Sequence, residues 1–201
     1  MPTPWLTLER SPGAYRADFV FYGTALLGML LWLLLRSPAG RALELVGWAF
    51  AGGAGWTLVE YLLHRFVLHG LPPFSRWHAE HHRRPTALIA SPTVFTVSLF
   101  AMLAALPAWL WLGAWPACAL IFGLVGGYLA YGLTHHATHH ALPFALPFIG
   151  ARGGWLSRRK RWHALHHATP AGTRHALGHF GVSSGFWDQV FGTLGRRAPT
   201  N

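Results

Sequence analysis

The chain has 201 residues, of which 52% are hydrophobic and only 11% are charged, and its formal net charge is +10. This length suits a single domain, which we predict over residues 1–201. The apolar positions come in long blocks and the basic residues lie beside them. This pattern excludes a soluble nucleic-acid-binding protein and favours a protein embedded in a membrane.

Four of the apolar blocks are long enough to cross a bilayer, which takes about 20 helical residues. In chain order they are Ala17 to Leu35, Ala42 to Leu63, Val94 to Leu112 and Ala114 to Thr134. The third and fourth blocks are separated by Gly113, which predicts a tight helical hairpin. The expected fold class is therefore an all-α integral membrane protein with about four transmembrane helices.

The basic residues are distributed unevenly around these blocks. If all four blocks span, Arg36 and Arg41 lie on one side of the membrane, and the other fourteen of the sixteen Lys and Arg residues lie on the opposite side. The side richer in Lys and Arg is normally cytoplasmic, so both termini are expected in the cytoplasm. The strong preference for Arg over Lys is typical of a GC-rich bacterial genome, which predicts a bacterial inner membrane.

Histidine is unusually frequent, with fourteen residues, and none lies in the middle of an apolar block. Most of the histidines form four groups, at the ends of the second and fourth blocks and in the segments that follow. The groups are His64 and His69; His78, His81 and His82; His135, His136, His139 and His140; and His163, His166 and His167. The predicted topology gathers all four groups on the cytoplasmic side.

The spacing of the histidines indicates metal binding. Residues three and four apart share a helix face, so each H-x-x-H-H, at His78 and at His163, is expected to present three imidazoles in one direction. Imidazole binds zinc, iron, copper and nickel, whereas the one cysteine, Cys118, excludes a thiolate cluster. Even ten of these twelve imidazoles exceed the about four ligands of zinc or about six of iron, so the pattern predicts two ions.

Two positions near the first histidine group leave alternatives open. His64 and His69 are five residues apart, which is about 140° around an α-helix. They are therefore expected to serve two different metals, unless the helix ends between them. Glu60 lies one turn before His64 and is a candidate to orient it by a hydrogen bond, or to cap a polar contact between helices.

The histidines belong to longer motifs. These are Trp56-Thr-Leu-Val-Glu-Tyr-Leu-Leu-His64 with His69, the H-x-x-H-H at His78, Tyr131-Gly-Leu-Thr-His135 with His139, the H-x-x-H-H at His163, and the segment from Phe180 to Leu194. In this order, over about residues 56–194, they resemble the fatty acid hydroxylase branch of the sterol desaturase and fatty acid hydroxylase superfamily.

The resemblance implies a four-span fold with a cytosolic helical cap that holds two metal ions, expected to be iron, with zinc as a substitute. In such enzymes the reduced metal pair activates dioxygen, and a lipid acyl chain is hydroxylated at an unactivated C–H bond. No catalytic side chain is assigned apart from the dimetal centre. By matching motif positions, the implied ligands are His64, His69, His78, His81, His82, His135, His139, His163, His166 and His167.

The resemblance also implies two partners, a membrane lipid as substrate and a source of electrons. Some members of the family carry an attached haem-binding cytochrome domain, for which this chain has no room. A separate electron-donor protein is therefore expected. The basic face of the protein would attract an acidic donor.

Some residues depart from the family pattern. Gly132 stands where the family often has Asp, so one orienting carboxylate is absent. His175 and His179 lie in a segment that matches no motif, and they are expected to be solvent-facing loop residues.

The third histidine group can be read in two ways. By spacing alone, His136 and His140 would complete a further H-x-x-H-H with His139. The resemblance instead selects His135 and His139, four apart on one helix face.

Two other functions fit parts of the pattern. A carotenoid or sterol hydroxylase or desaturase is the alternative enzyme, because related families share the H-x-x-x-x-H and H-x-x-H-H elements, although the segment from Phe180 to Leu194 favours the acyl-chain branch. A membrane metal transporter or store is the non-enzymatic alternative. Transporters place their ligands near the bilayer midplane, whereas the mid-span residues here are mainly apolar.

The predicted orientation can be tested with reporter fusions at the C-terminus. We expect a fusion to a reporter that folds only in the cytoplasm to be active, because the opposite orientation would translocate fourteen of the sixteen basic residues. A reporter that is active only in the periplasm serves as the control. Activity of that second reporter would contradict the topology.

Overall fold

The computed structural model describes residues 8–140, 154–168 and 178–195. Within these ranges it is helical and contains no β-strand, with one isolated bridge between Glu9 and Ile89. The helices are α1 (Pro12–Arg36), α2 (Ala42–Leu62), π1 (Leu63–Leu68), α3 (Phe74–Arg83), α4 (Thr93–Phe100), π2 (Ala101–Ala105), α5 (Leu106–Leu112), α6 (Ala114–His139), α7 (Trp155–His167) and α8 (Phe186–Val190).

Four helical stretches are long and apolar enough to cross a membrane: Pro12–Arg36, Ala42–Leu68, Thr93–Leu112 and Ala114–His139. They correspond to the four predicted blocks, so the prediction of an all-α integral membrane protein is confirmed. Many large apolar side chains of the first three stretches are exposed, which suits helices surrounded by lipid, whereas Leu133 is the one exposed large apolar residue of Ala114–His139.

Three of the four helical stretches extend beyond their predicted blocks by several residues. Helix α1 begins at Pro12 because Ser11 caps it, accepting a hydrogen bond from the Ala14 amide at 3.2 Å, and proline suits the first turn. Helix α6 continues to His139. Polar histidines ended the predicted block at Thr134, but they do not end the helix.

The chain forms two compact units, one comprising Met1–Trp56 and Ala87–Leu129 and the other comprising Thr57–Thr86 and Ala130–Asn201. All ten of the histidines selected by the family motifs belong to the second unit. The residues that build the histidine site can therefore be described within one unit.

The first unit has an aromatic centre to which four helices contribute. Tyr128 of α6 makes edge-to-face contacts with Tyr22 of α1 at 4.9 Å and with Trp56 of α2 at 5.2 Å between ring centroids. Phe100 of α4 lies 5.8 Å from Trp56. Edge-to-face pairs add about 0.5–1.5 kcal/mol each beyond the area that they bury.

Helices α2 and α6 approach each other closely within the first unit, at glycines. A Cβ atom on Gly123 would lie 1.9 Å from the Ala49 carbonyl oxygen, and one on Gly52 would lie 2.1 Å from the Leu120 carbonyl oxygen. Small residues at such crossings let two membrane helices pack backbone against backbone. No side chain larger than hydrogen fits at either position without separating the helices.

This close approach predicts the effect of a single methyl group. Gly123→Ala should lower stability in detergent by about 1–3 kcal/mol, because the helices must move apart. The control is Gly47→Ala on the facing helix α2, where an added Cβ meets nothing within 4 Å. Thermal unfolding followed by size-exclusion chromatography measures both variants. Equal midpoints for Gly123→Ala and the wild type would contradict the packing described.

Candidate metal centre

Ten histidines of the second unit form two groups, and within each group the potential ligand nitrogens all lie within 4.8 Å of one another. Cluster A comprises His64, His69, His78, His82 and His166. Cluster B comprises His81, His135, His139, His163 and His167. These are the ten histidines that the family motifs select, and their role as ligands stays a prediction for metal analysis.

The first histidine pair reaches cluster A through a change of helical winding. Helix α2 continues into π1, where the His69 amide donates to the His64 carbonyl at 3.3 Å. A π-helix bonds residues five apart, which brings them into line, and such turns are frequent at functional sites. The two imidazole centroids are 5.1 Å apart. The structure thus places both histidines in one cluster, and not in two as expected; π1 ends at Leu68, so the alternative that the helix ends before His69 is the one that holds.

Each H-x-x-H-H motif is divided between the two clusters. His78 and His82 of α3 point into cluster A, whereas His81 belongs to cluster B. Helix α7 reverses the division, with His166 in cluster A and its two other histidines in cluster B. The expectation of three imidazoles in one direction is wrong, because adjacent residues diverge by about 100° around a helix. Both helices therefore join the two clusters.

Helix α6 supplies His135 and His139 to cluster B. The neighbouring His136 and His140 lie outside both clusters, with their rings stacked at 4.4 Å and 18°. Cluster membership thus follows the family motif and not the local H-x-x-H-H spacing.

Two cluster A histidines are oriented by backbone carbonyls. The Nδ1–H of His64 donates to the Phe180 carbonyl at 2.5 Å, and the Nδ1–H of His166 donates to the Gly178 carbonyl at 2.8 Å. A neutral imidazole has one N–H, so a proton on Nδ1 leaves a lone pair on Nε2. Both Nε2 atoms therefore face cluster A in the form that binds metal.

The Glu60 carboxylate binds backbone instead of histidine. It accepts hydrogen bonds from the Val182 amide at 2.5 Å and from the Ser183 amide at 2.9 Å, as well as from the Ser183 hydroxyl. The predicted alternative of a hydrogen bond from His64 to the Glu60 carboxylate is wrong, because the His64 Nδ1–H donates to the Phe180 carbonyl. The other alternative, a polar contact between helices, is corrected to a contact between α2 and a loop.

Asp188 was missed by the sequence reasoning. Its fully buried carboxylate accepts hydrogen bonds from the Phe180 and Gly181 amides and from the Thr193 hydroxyl, each at 2.8 Å. The available signal was an acidic residue inside the otherwise apolar Phe186-Trp-Asp-Gln-Val segment of a chain with only six acids. Such a residue needs buried partners.

His179 differs from its expected position. It is 7% exposed, its amide donates to the Thr193 carbonyl at 3.0 Å, and its ring lies 5.3 Å from that of Trp162. The expectation of a solvent-facing loop residue is wrong for His179, because this backbone pairing turns the ring inward. His175 lies outside the described residues.

Burial keeps the cluster imidazoles neutral. Burial, followed by the nearby His166 and His82, lowers the pKa of His69 to about 3. Burial is also the main cause that lowers the pKa of His81 to about 3 and that of His82 to about 4. At neutral pH these imidazoles are therefore uncharged, and each has one nitrogen with a free lone pair. A metal ion can bind there without first displacing a proton.

The distances between nitrogens fit a metal ion better than hydrogen bonds. The Nε2 atom of His78 lies 2.9 Å from that of His64 and 3.1 Å from those of His69 and His82. One nitrogen offers a single proton or a single lone pair, so it cannot bond all three. An ion with nitrogen ligands at about 2.1 Å and right angles between them requires about 3 Å between neighbouring nitrogens. Cluster A has this spacing.

Cluster B has the same spacing. The His163 Nε2 atom lies 2.8 Å from that of His139 and 3.0 Å from that of His167, and the His135 and His81 Nε2 atoms are 3.1 Å apart. Each cluster could therefore hold one metal ion, in agreement with the prediction of two.

The sequence model of the family described as "Fatty acid hydroxylase" matches residues 49–193, more than half of the chain and all ten clustered histidines. The chain belongs to the fatty acid hydroxylase family. Among solved structures, full-length Scs7p, of which only the hydroxylase domain is visible, is 27% identical with a TM-score of 0.74, over 96% of this chain and 71% of that one. No curated protein sequence matches the chain.

Family membership and the structural match support a lipid hydroxylase, and hence an oxidoreductase. The family is metal-dependent, and the two histidine clusters supply a donor set for metal. The family motif in α6 also agrees with the cluster to which His135 and His139 belong.

A pair of single substitutions separates the two interpretations of α6. His135→Ala should reduce the metal content of loaded protein from about two ions to about one, because it removes a cluster B ligand. His136→Ala should leave the metal content unchanged, since its ring stacks on His140 outside the clusters. Elemental analysis of both variants at equal membrane levels provides the comparison. Loss of metal from His136→Ala alone would refute the family-based register.

Proposed function

We propose that this protein is a di-iron membrane oxygenase that hydroxylates a lipid acyl chain, using dioxygen and electrons from a separate protein. The observation that carries the proposal is the pair of five-histidine clusters in a membrane-embedded member of the fatty acid hydroxylase family. Iron bound there would supply the redox chemistry that dioxygen activation needs and that zinc lacks.

The role of the protein residues is to bind and orient. Each cluster offers five neutral imidazoles and no carboxylate. If all five bound one iron ion, they would leave one of its about six positions for a ligand from outside the protein. His64 and His166, held through their Nδ1 atoms, keep their Nε2 lone pairs directed into cluster A. Because these two imidazoles are already oriented towards cluster A, they need not rotate when a metal ion binds.

The family and the membrane location support an acyl chain as the substrate. Four apolar helical stretches give the protein access to the hydrocarbon of the bilayer. A hydrocarbon chain has no polar group to bind, so its position relative to the metals depends on shape and on apolar contacts.

Exposed basic residues support a negatively charged electron donor. Arg158, Lys160 and Arg161 are exposed on α7, and Arg76 is exposed on α3. These two helices also carry the H-x-x-H-H motifs. Opposite charge speeds the encounter of two proteins. In the proposed orientation this basic surface is cytoplasmic, at the inner membrane of a bacterium.

The proposal predicts the metal content of the purified protein. Elemental analysis should find about two ions per chain, because each cluster supplies a full set of ligands. Iron-loaded protein should turn over and zinc-loaded protein should not, since zinc has no accessible redox change. One ion per chain in fully loaded protein would contradict the dimetal centre.

The activity is tested by isotope labelling. Cells that express the protein are grown under ¹⁸O₂, and their lipids are analysed by mass spectrometry. We expect an acyl chain that has gained one labelled oxygen, absent from cells that express the inactive His135→Ala variant and present with His136→Ala. A labelled sterol or carotenoid would show that the substrate is not an acyl chain. A new double bond without added oxygen would show that the reaction is desaturation and not hydroxylation. No lipid change from iron-loaded protein with a supplied reductant would refute the oxygenase.

A further inference from the structure

A short loop of the second unit touches cluster A directly. The loop comprises residues 178–183, and its backbone carbonyls at Gly178 and Phe180 accept the hydrogen bonds from His166 and His64. Residues 178–182 are all buried. The position of this backbone therefore determines the direction of two imidazoles.

Two buried carboxylates hold the loop. Glu60 precedes the loop in sequence and Asp188 follows it. Asp188 binds the amides of Phe180 and Gly181, and Glu60 binds the amides of Val182 and Ser183. Four consecutive amides thus end on carboxylate oxygens. Hydrogen bonds from amides to buried carboxylates are roughly twice as strong as those between neutral groups.

The loop is also packed too tightly to shift. A Cβ atom on Gly181 would lie 1.8 Å from the Ser184 carbonyl oxygen and 2.9 Å from the Asp188 Oδ2 atom. A Cβ atom on Gly178 would lie 2.4 Å from the Thr193 carbonyl oxygen. Glycine at both positions lets the backbone reach the carboxylate and the histidines together.

Cluster B lacks a corresponding set of contacts in the part of the chain that the structure describes. There the Nδ1 atoms of His81, His163 and His167 are buried and have no hydrogen-bond partner. Among the described residues, a backbone carbonyl thus orients two histidines of cluster A but none of these three histidines of cluster B.

We propose that Asp188 and Glu60 are positioning residues for cluster A: by fixing the loop at residues 178–183 they set the metal affinity of this cluster and make the two metal sites unequal. This inference rests on metal binding at both clusters, as in the proposed function. Loss of an outer hydrogen-bond partner of a metal ligand typically weakens metal binding about 10–100-fold.

The two carboxylates differ in how many of their oxygens accept hydrogen bonds from backbone amides. Both oxygens of Asp188 accept from backbone amides, so Asp188→Asn places an NH₂ group against an N–H and breaks the contact. At Glu60 one oxygen accepts both amides, while the other contacts the Ser183 hydroxyl, which can also accept. Glu60→Gln can therefore keep every contact, whereas Glu60→Ala keeps none.

The test uses the full-length protein in detergent, stripped of metal and titrated with Co²⁺, whose visible absorption reports histidine coordination, with a chelator as competitor. The wild type should bind about two ions per chain. Asp188→Asn and Glu60→Ala should weaken one ion about 10–100-fold and leave the other unchanged. Glu60→Gln should behave like the wild type, and so should the matched control Gln189→Ala, an exposed neighbour of Asp188.

Adding a cluster B substitution identifies the weakened ion. His81→Ala should remove the ion that Asp188→Asn retains, so the double variant should bind neither tightly. Unchanged binding of both ions by Asp188→Asn, or equal weakening of both in a monodisperse protein, would overturn the proposal. If Asp188→Asn does not fold, Ser183→Ala removes one Glu60 contact and should weaken one ion severalfold; no selective weakening would overturn it. A wild type that binds no metal would instead refute the proposed function.

Discussion

A ring nitrogen of histidine offers one proton or one lone pair, and this limit governs the second unit. At His78 three other Nε2 atoms lie within 3.1 Å, more than one nitrogen can bond. Burial keeps water away from these nitrogens, so water cannot supply the missing hydrogen bonds. Burial also lowers the pKa values of His78 and His81, so these imidazoles stay uncharged. A cation between the nitrogens satisfies all of them together. The winding of π1, the division of the H-x-x-H-H motifs and the loop at residues 178–183 each serve this arrangement.

Acids and histidines have separate tasks in the second unit. Glu60 and Asp188, its two buried acids among the described residues, bind backbone amides and leave the clusters to neutral imidazoles. Their negative charge faces a buried base: Asp188 is the main influence that opposes the lowering of the Arg159 pKa by burial. The Arg159 guanidinium lies 4.1 Å from the centroid of Trp162, a favourable contact for a desolvated cation. Bound metal ions would add further positive charge to that of Arg159. The carboxylates of Glu60 and Asp188 would partly offset this positive charge.

Much of this architecture follows from local sequence properties. Length and hydropathy predicted the four spans, and the family motifs selected the histidines that the structure gathers. Hydropathy could not predict that α6 continues to His139, because a polar residue can remain helical. Spacing could not divide the H-x-x-H-H motifs, since the choice of cluster depends on which helices lie opposite. The hydrogen bonds of Glu60 could not be predicted, because its partner Val182 lies more than a hundred residues away in sequence. Those of Asp188 depend on the conformation of the loop that contains Phe180.

Three histidine pairs in the clusters are four residues apart, and the fourth, His64 and His69, is five apart. The π1 turn absorbs this one additional residue, as an insertion into an α-helix would. It also sets the rotation of His69 relative to the helix that precedes π1. Glu60 lies one turn before His64, so deletion of a single residue from π1 would leave a four-residue pair while turning Glu60 by about 100° relative to His69. The inserted residue thus lets one helix direct its carboxylate to the loop and both of its imidazoles into the same cluster.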